Sequence, residues 1–230
     1  IYDCIYCIID RRRKFPATLL LRAIGFSSDR DIYSAFDLTQ KEKTSFLRKQ
    51  IDKKTVLILD DVFDESTGEV LFEAGSPVTS TMLDKLEELG SKSVEVTKLK
   101  DDLSVEMISN TLAKDPTSTT EEALMLLYEH LRSGEAPTFE IAQKFIEKMF
   151  FSTKKYDLGK VGRYRINKKF NLEKPIDEPV LTRDDFISVF SYLMSMRKGE
   201  VGADDIDHLG NRRVRTVGEQ LANQFSISLS

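Results

Sequence analysis

Two cysteines, two histidines and no tryptophan occur in 230 residues. Each scarcity closes off a class of chemistry. A structural zinc site needs four ligands. Cys4-Ile5-Tyr6-Cys7 is formally a CxxC, but there is no second cysteine pair, and His130 and His208 lie far along the chain. The flanking Ile5, Tyr6, Ile8 and Ile9 read as a strand, where positions three apart face opposite sides. A redox CxxC instead sits at a helix start. Two buried, reduced thiols are therefore expected, in keeping with a cytoplasmic location. Neither histidine stands in a triad context, and no P-loop is present, so no catalytic residue and no metal site is assigned. No apolar run reaches the roughly 18–20 residues that span a bilayer, so no membrane partner is expected. The chain opens on Ile1, inside the expected strand, and is expected to be a piece of a longer protein with no signal peptide to assign.

What is present is an ordinary globular composition, with 40% hydrophobic and 31% charged residues, enough apolar material for a core. The length suggests one or two domains. Net charge is 34 − 38 = −4, which argues against a generic basic nucleic-acid binder. The average conceals a separation of charge. Asp60 to Glu88 holds nine acids and only Lys85 as a base, whereas Lys154 to Lys169 holds seven bases and only Asp157 as an acid. Arg11, Arg12, Arg13 and Lys14 form a second basic cluster. Such separation fits different surfaces for different partners, or two merely solvated faces.

Local signals give an α+β chain, mixed helical and β, with a small acidic hairpin–helix–strand module embedded in a more basic frame. A strand over Ile1–Ile9 leads to Pro16, which can open a helix carrying Leu19, Leu20, Ala23 and Ile24 and stopped by Gly25. Ser28 caps a second helix through Phe36, and Thr39–Ile51 reads as a linker or an exposed helix. Val56–Leu59 and Val70–Phe72 flank the turn-rich Asp64–Gly68, predicting a hairpin. A helix over Thr79–Leu89 ended by Gly90, and a strand over Ser93–Thr97, follow. Asp60, Asp61 and Asp64 do not match a calcium loop in spacing or closing glutamate. Thr119 with Glu122 caps one helix, Pro137-Thr138 starts another running to about Phe151, and Thr182 with Asp185 caps a third bearing Phe186, Val189, Phe190, Leu193 and Met194. Residues 52–100 read as one compact unit and residues 101–150 as helical.

Two segments carry functional chemistry. Tyr156–Arg165 interleaves Gly159 and Gly162 with Lys160, Arg163, Arg165 and two tyrosines. Small residues admit a phosphate backbone, cations neutralise it and tyrosine can stack. The alternative is a solvated turn and strand. In Asp204–Arg215, a carboxylate and an arginine five apart, Asp207 and Arg212, flank the Gly210 turn. Arginine donates bidentately to guanine or phosphate and a carboxylate accepts from a base amino group. The pair could equally bond only to each other and pin the turn, a contribution of roughly 0–1 kcal/mol.

These residues carry a resemblance. Ile9-Asp10-Arg11-Arg12-Arg13-Lys14-Phe15-Pro16-Ala17-Thr18, Tyr156-Asp157-Leu158-Gly159-Lys160-Val161-Gly162-Arg163 and Asp205-Ile206-Asp207-His208-Leu209-Gly210-Asn211-Arg212-Arg213-Val214-Arg215 occur in the order seen in the beta subunit of bacterial DNA-directed RNA polymerase. The chain resembles that family over essentially its whole length, in the lobe that forms one jaw of the downstream DNA channel.

The resemblance implies a DNA-facing surface made by Arg11, Arg12, Arg13, Lys14, Arg163, Arg165, Asp207, Arg212, Arg213 and Arg215. Asp207 and Arg212 match positions of a pocket for a nontemplate-strand guanine, and Arg215 falls where the family lines the fork junction. The family's stacking tryptophan is missing here and would lie before Ile1. The resemblance further implies nucleotidyltransferase activity only in the assembled enzyme, with alpha, beta-prime, omega and sigma as partner subunits. Magnesium would be held by beta-prime, leaving this segment no cofactor of its own, and the rifampicin-contacting stretch would follow Ser230. Residues 52–115 resemble a lineage-specific insertion between two lobe segments, 1–51 and 116–230, and its acidic face should project away from DNA. A second reading makes the acidic insertion and the 101–150 helices a docking module for transcription regulators.

Overall fold

The computed structural model describes residues 3–51, 56–63, 70–88, 93–98, 102–132, 138–205, 207–211 and 214–229. The architecture is α+β, with helices around the main core and short antiparallel ribbons at its margins.

The expected first strand contracts to β1 (Tyr6–Cys7), paired with β2 (Phe15–Pro16). Helix α1 (Ala17–Ala23) follows Pro16 directly and is buried along its whole length. Gly25, at φ +112°, closes it. Its N–H donates to Arg22 and that of Phe26 to Leu21, each at 3.0 Å, a Schellman stop that a residue with a Cβ enters only under strain. Helix α2 (Asp29–Ala35) is capped by Ser28 as expected, and Asp31 completes a capping box with it.

Thr39–Ile51 is neither linker nor exposed helix. Residues 39–43 form β3 (Thr39–Lys43), which pairs antiparallel with β6 (Ser93–Thr97), setting Lys41 opposite Glu95. Then α3 (Thr44–Leu47) buries Leu47 completely. Leu47 joins Val56, Ile58, Val78, Val96 and three side chains of α4 (Ser80–Glu88) in a small separate core. Leu47 thus packs with side chains of the stretch expected as the insertion. The hairpin is present as β4 (Val62–Phe63) and β5 (Val70–Phe72), with a register shift. Leu57 and Ile58 make isolated bridges to Pro77 and Val96 rather than extending that hairpin. The expected turn over Asp64–Gly68 and the Gly90 stop fall outside the described residues.

Helix α5 (Asp102–Leu112), within the stretch expected as the insertion, sends Val105, Met107 and Ile108 into the main core. There they meet α1, α6 (Thr120–Leu131) and α7 (Phe139–Phe150). Thr119 Oγ1 accepts from the Glu122 N–H as expected, while Glu122 itself accepts from Ser118. Helix α8 (Gly159–Phe170) occupies the stretch read as turn and strand. Helix α9 (Arg183–Lys198) starts on the Thr182–Asp185 capping box and buries Phe190 and Met194, whereas Val189 and Leu193 face solvent. Helix α10 (Val217–Leu229) leaves Val217, Leu221, Phe225 and Leu229 exposed.

Cys4 and Cys7 are free thiols of intermediate exposure rather than fully buried. Cys4 Sγ donates to the Asn110 carbonyl, and burial pushes the Cys7 thiol up to about 12.

Candidate nucleic-acid interface

The first basic cluster is the tip of the β1–β2 hairpin. Asp10 and Arg11 have φ of 52° and 55°, and Arg12 N–H closes the turn on the Ile9 carbonyl at 3.0 Å. Successive left-handed residues match the twist of a hairpin, but for a long side chain such as Arg11 the conformation costs energy. It turns Arg11, Arg12, Arg13 and Lys14 outward, all exposed. Lys14 Nζ lies 4.9 Å from the centre of the Tyr6 ring.

The second cluster is α8. Asp157 Oδ1 accepts from the Gly159 N–H at 2.8 Å to start it, and Asn171 at φ 53° ends it. Helical spacing splits its two predicted arginines. Arg165 is exposed, whereas Arg163 is completely buried. Arg163 Nη1 donates to both carboxylate oxygens of Asp185 at 2.8 and 2.9 Å, Nε to the Glu178 carbonyl, and Nη2 to that of Val180. Its donors are directed into the protein, so Arg163 is a structural cation and leaves the set of DNA-facing residues. Tyr164, Lys168 and Lys169 stand on the exposed side instead.

The third cluster is the loop before α10. Asp207 N–H donates to Asp205 Oδ1, and Gly210 N–H to His208 Nδ1, each at 3.0 Å. A Cβ at Gly210, in the turn at Leu209–Asn211, would come within 3.0 Å of Nδ1 of the exposed His208. Asp207 and Arg215 are exposed, while Arg212 and Arg213 lie outside the described residues.

The structure brings the second and third clusters together. Arg165 Nη2 donates to the Gly210 carbonyl at 3.1 Å. Lys169 pairs with Asp204 and lies 4.4 Å from the centre of the Tyr192 ring, whose hydroxyl donates to the Gly202 carbonyl at 3.2 Å. A basic helix thus carries the Asp207 loop on its flank. Lys169 and Tyr192 were missed in the sequence. The clue was the recurrence of Lys160, Tyr164 and Lys168 at helical intervals, obscured by two glycines.

The family model described as RNA polymerase Rpb2, domain 2, matches residues 82–215. The chain belongs to the RNA polymerase Rpb2 domain 2 family. Across its whole length it is similar to DNA-directed RNA polymerase subunit beta of Flavobacterium psychrophilum (44% identity), Porphyromonas gingivalis (42%) and Bacteroides fragilis (39%). It spans 19% of the length of each of these curated relatives. The stretch matched to the Rpb2 domain 2 family takes in α8, α9 and the Asp207 loop, while Arg11–Lys14 lie outside it.

The acidic stretch of this Rpb2 domain 2 sequence is partly spent on internal pairing. Asp84 and Glu87 both bind Arg48, Asp60 binds Arg30, and Asp61 accepts from the Ala74 N–H. Among the described residues no three His, Cys, Asp or Glu side chains gather as a metal site, and no helix is long and apolar enough to cross a membrane.

Proposed function

We propose that this chain works as the lobe of a bacterial RNA polymerase beta subunit, one wall of the channel that holds downstream DNA. The carrying observation is the joint between α8 and the Asp207 loop, made by Arg165 on Gly210 and Lys169 on Asp204. It fixes a cationic helix beside a glycine turn bearing a carboxylate, the arrangement a phosphate backbone and one base edge require. Arg11, Arg12, Arg13, Lys14, Arg165, Arg213 and Arg215 contact phosphates, which set position without reading sequence. Asp207 and Arg212 take a nontemplate-strand guanine, contributing about 1–3 kcal/mol of discrimination at one position. That magnitude modulates bubble stability and does not select promoters. Nucleotidyl transfer belongs to the assembled enzyme with alpha, beta-prime, omega and sigma, where magnesium is a ligand of beta-prime.

Glu73 and Glu88 of the inserted unit are exposed and repel DNA, so that unit projects away from the channel. Photo-crosslinkers at positions 12, 165 and 73 of the subunit in reconstituted polymerase test both statements. The first two should label downstream duplex and the third should not. Labelling from position 73 alone would reverse the proposed orientation.

A further inference from the structure

We propose that the cleft between α1, α7 and the start of α9 docks an acidic peptide segment carrying a bulky apolar side chain. This surface is distinct from the DNA-facing residues above. The cleft encloses about 570 Å³, within the range of pockets that hold a ligand group. Its lining is largely apolar: Ile24, Leu124 and Ile146 come from the main core, and Phe139, Phe151 and Leu181 add to them. Such a lining suits a Leu or Phe side chain and offers a nucleic acid little.

The rim supplies the charge. Arg183 lines the mouth, where its guanidinium packs over Gly25 so closely that a Cβ there would sit 2.6 Å from Nη2. The glycine that ends α1 therefore also makes room for this cation. A second recess of about 350 Å³ shares Glu147 and Phe151 with the first and adds Lys144 and Lys148. The two recesses adjoin at Glu147 and Phe151, and their linings together carry three cations, Lys144, Lys148 and Arg183, against the single carboxylate of Glu147. Charge complementarity selects an acidic occupant, and the apolar floor selects a hydrophobic anchor within it.

The test is fluorescence anisotropy of the full chain with a labelled synthetic peptide of glutamates interspersed with leucine and phenylalanine. Control peptides replace the glutamates by lysine or the apolar residues by serine. The acidic peptide should bind, and K144E/K148E/R183E should weaken it by about tenfold or more while gaining affinity for the lysine peptide. Phe151→Ala should weaken both pairings, with circular dichroism checking that each variant is folded. The proposal is overturned if the acidic peptide does not bind at millimolar concentration, or if binding ignores the charge reversal. It is equally overturned if duplex DNA displaces the peptide, or if sedimentation shows the cleft occupied by a second copy of the chain.

Discussion

Arg163 reaches from α8 to grip both carboxylate oxygens of Asp185, which accepts at the same time from the backbone and hydroxyl of Thr182. One carboxylate thus caps α9 and anchors α8, with both partners buried. Removing either charge strands the other away from water. Arg163→Met or Asp185→Asn should each cost on the order of 3–5 kcal/mol in urea unfolding. Arg165→Ala, at an exposed position two residues away, should cost less than about 1 kcal/mol. Similar losses at 163 and 165 would contradict the assignment.

The same pair marks where the sequence was legible. Thr182 and Asp185 stand three apart, and their capping pattern is readable because both partners lie in one turn. Arg163 finds its partner 22 residues away, so its basic neighbourhood suggested DNA while its helix face decided burial. The Ser28 cap and the Gly25 stop were readable for the same local reason. Thr39–Lys43 was not, because a charged edge strand is recognisable only beside its partner, Ser93–Thr97. Of the candidate site, the cations were legible individually. The contact of Arg165 with the Asp207 loop depends on tertiary packing that no local pattern encodes.

Arg30 ties α2 to the inserted unit, with Nη1 2.9 Å from Asp60 and Nη2 2.5 Å from Glu95. These side chains are substantially exposed, so screening limits the latch. Arg30→Ala should cost no more than about 1 kcal/mol at low salt. The difference from the parent chain should vanish near 1 M NaCl. A deficit that persists at high salt would mean that Arg30 acts through packing instead.

Alkaline pH should destabilise the fold through two shielded acids, the half-buried Cys7 and the buried Tyr33. Burial raises the Cys7 thiol to about 12 and pushes the Tyr33 phenol well above its ordinary value. Above the unfolded thiol's pKa the unfolded chain has released a proton that the folded chain still holds. Stability is therefore full below that pH and is lost as pH rises toward 12. Cys7→Ala should flatten the thiol's part of this decline in urea titrations between pH 8 and pH 10, whatever its effect at neutral pH. An unchanged slope would rule Cys7 out as a contributor.

The turn at Asp10-Arg11 carries left-handed strain, with Arg11 at φ 55°. Arg11→Gly should raise stability by up to about 1 kcal/mol, because glycine adopts this conformation freely. The same change should weaken DNA binding by removing one cation. Thermal unfolding and DNA affinity moving in the same direction would contradict a turn strained to present its arginines.

The most direct test of the DNA-facing surface is fluorescence anisotropy of the chain with a labelled forked DNA, titrated at two salt concentrations. The comparison is a variant with Arg11, Arg12, Arg13, Arg212 and Arg215 changed to alanine. Binding should fall steeply with salt, as counterion release requires, and should be lost in the variant. Binding that survives all five substitutions with its salt dependence intact would place the DNA on another face and contradict the proposed channel wall.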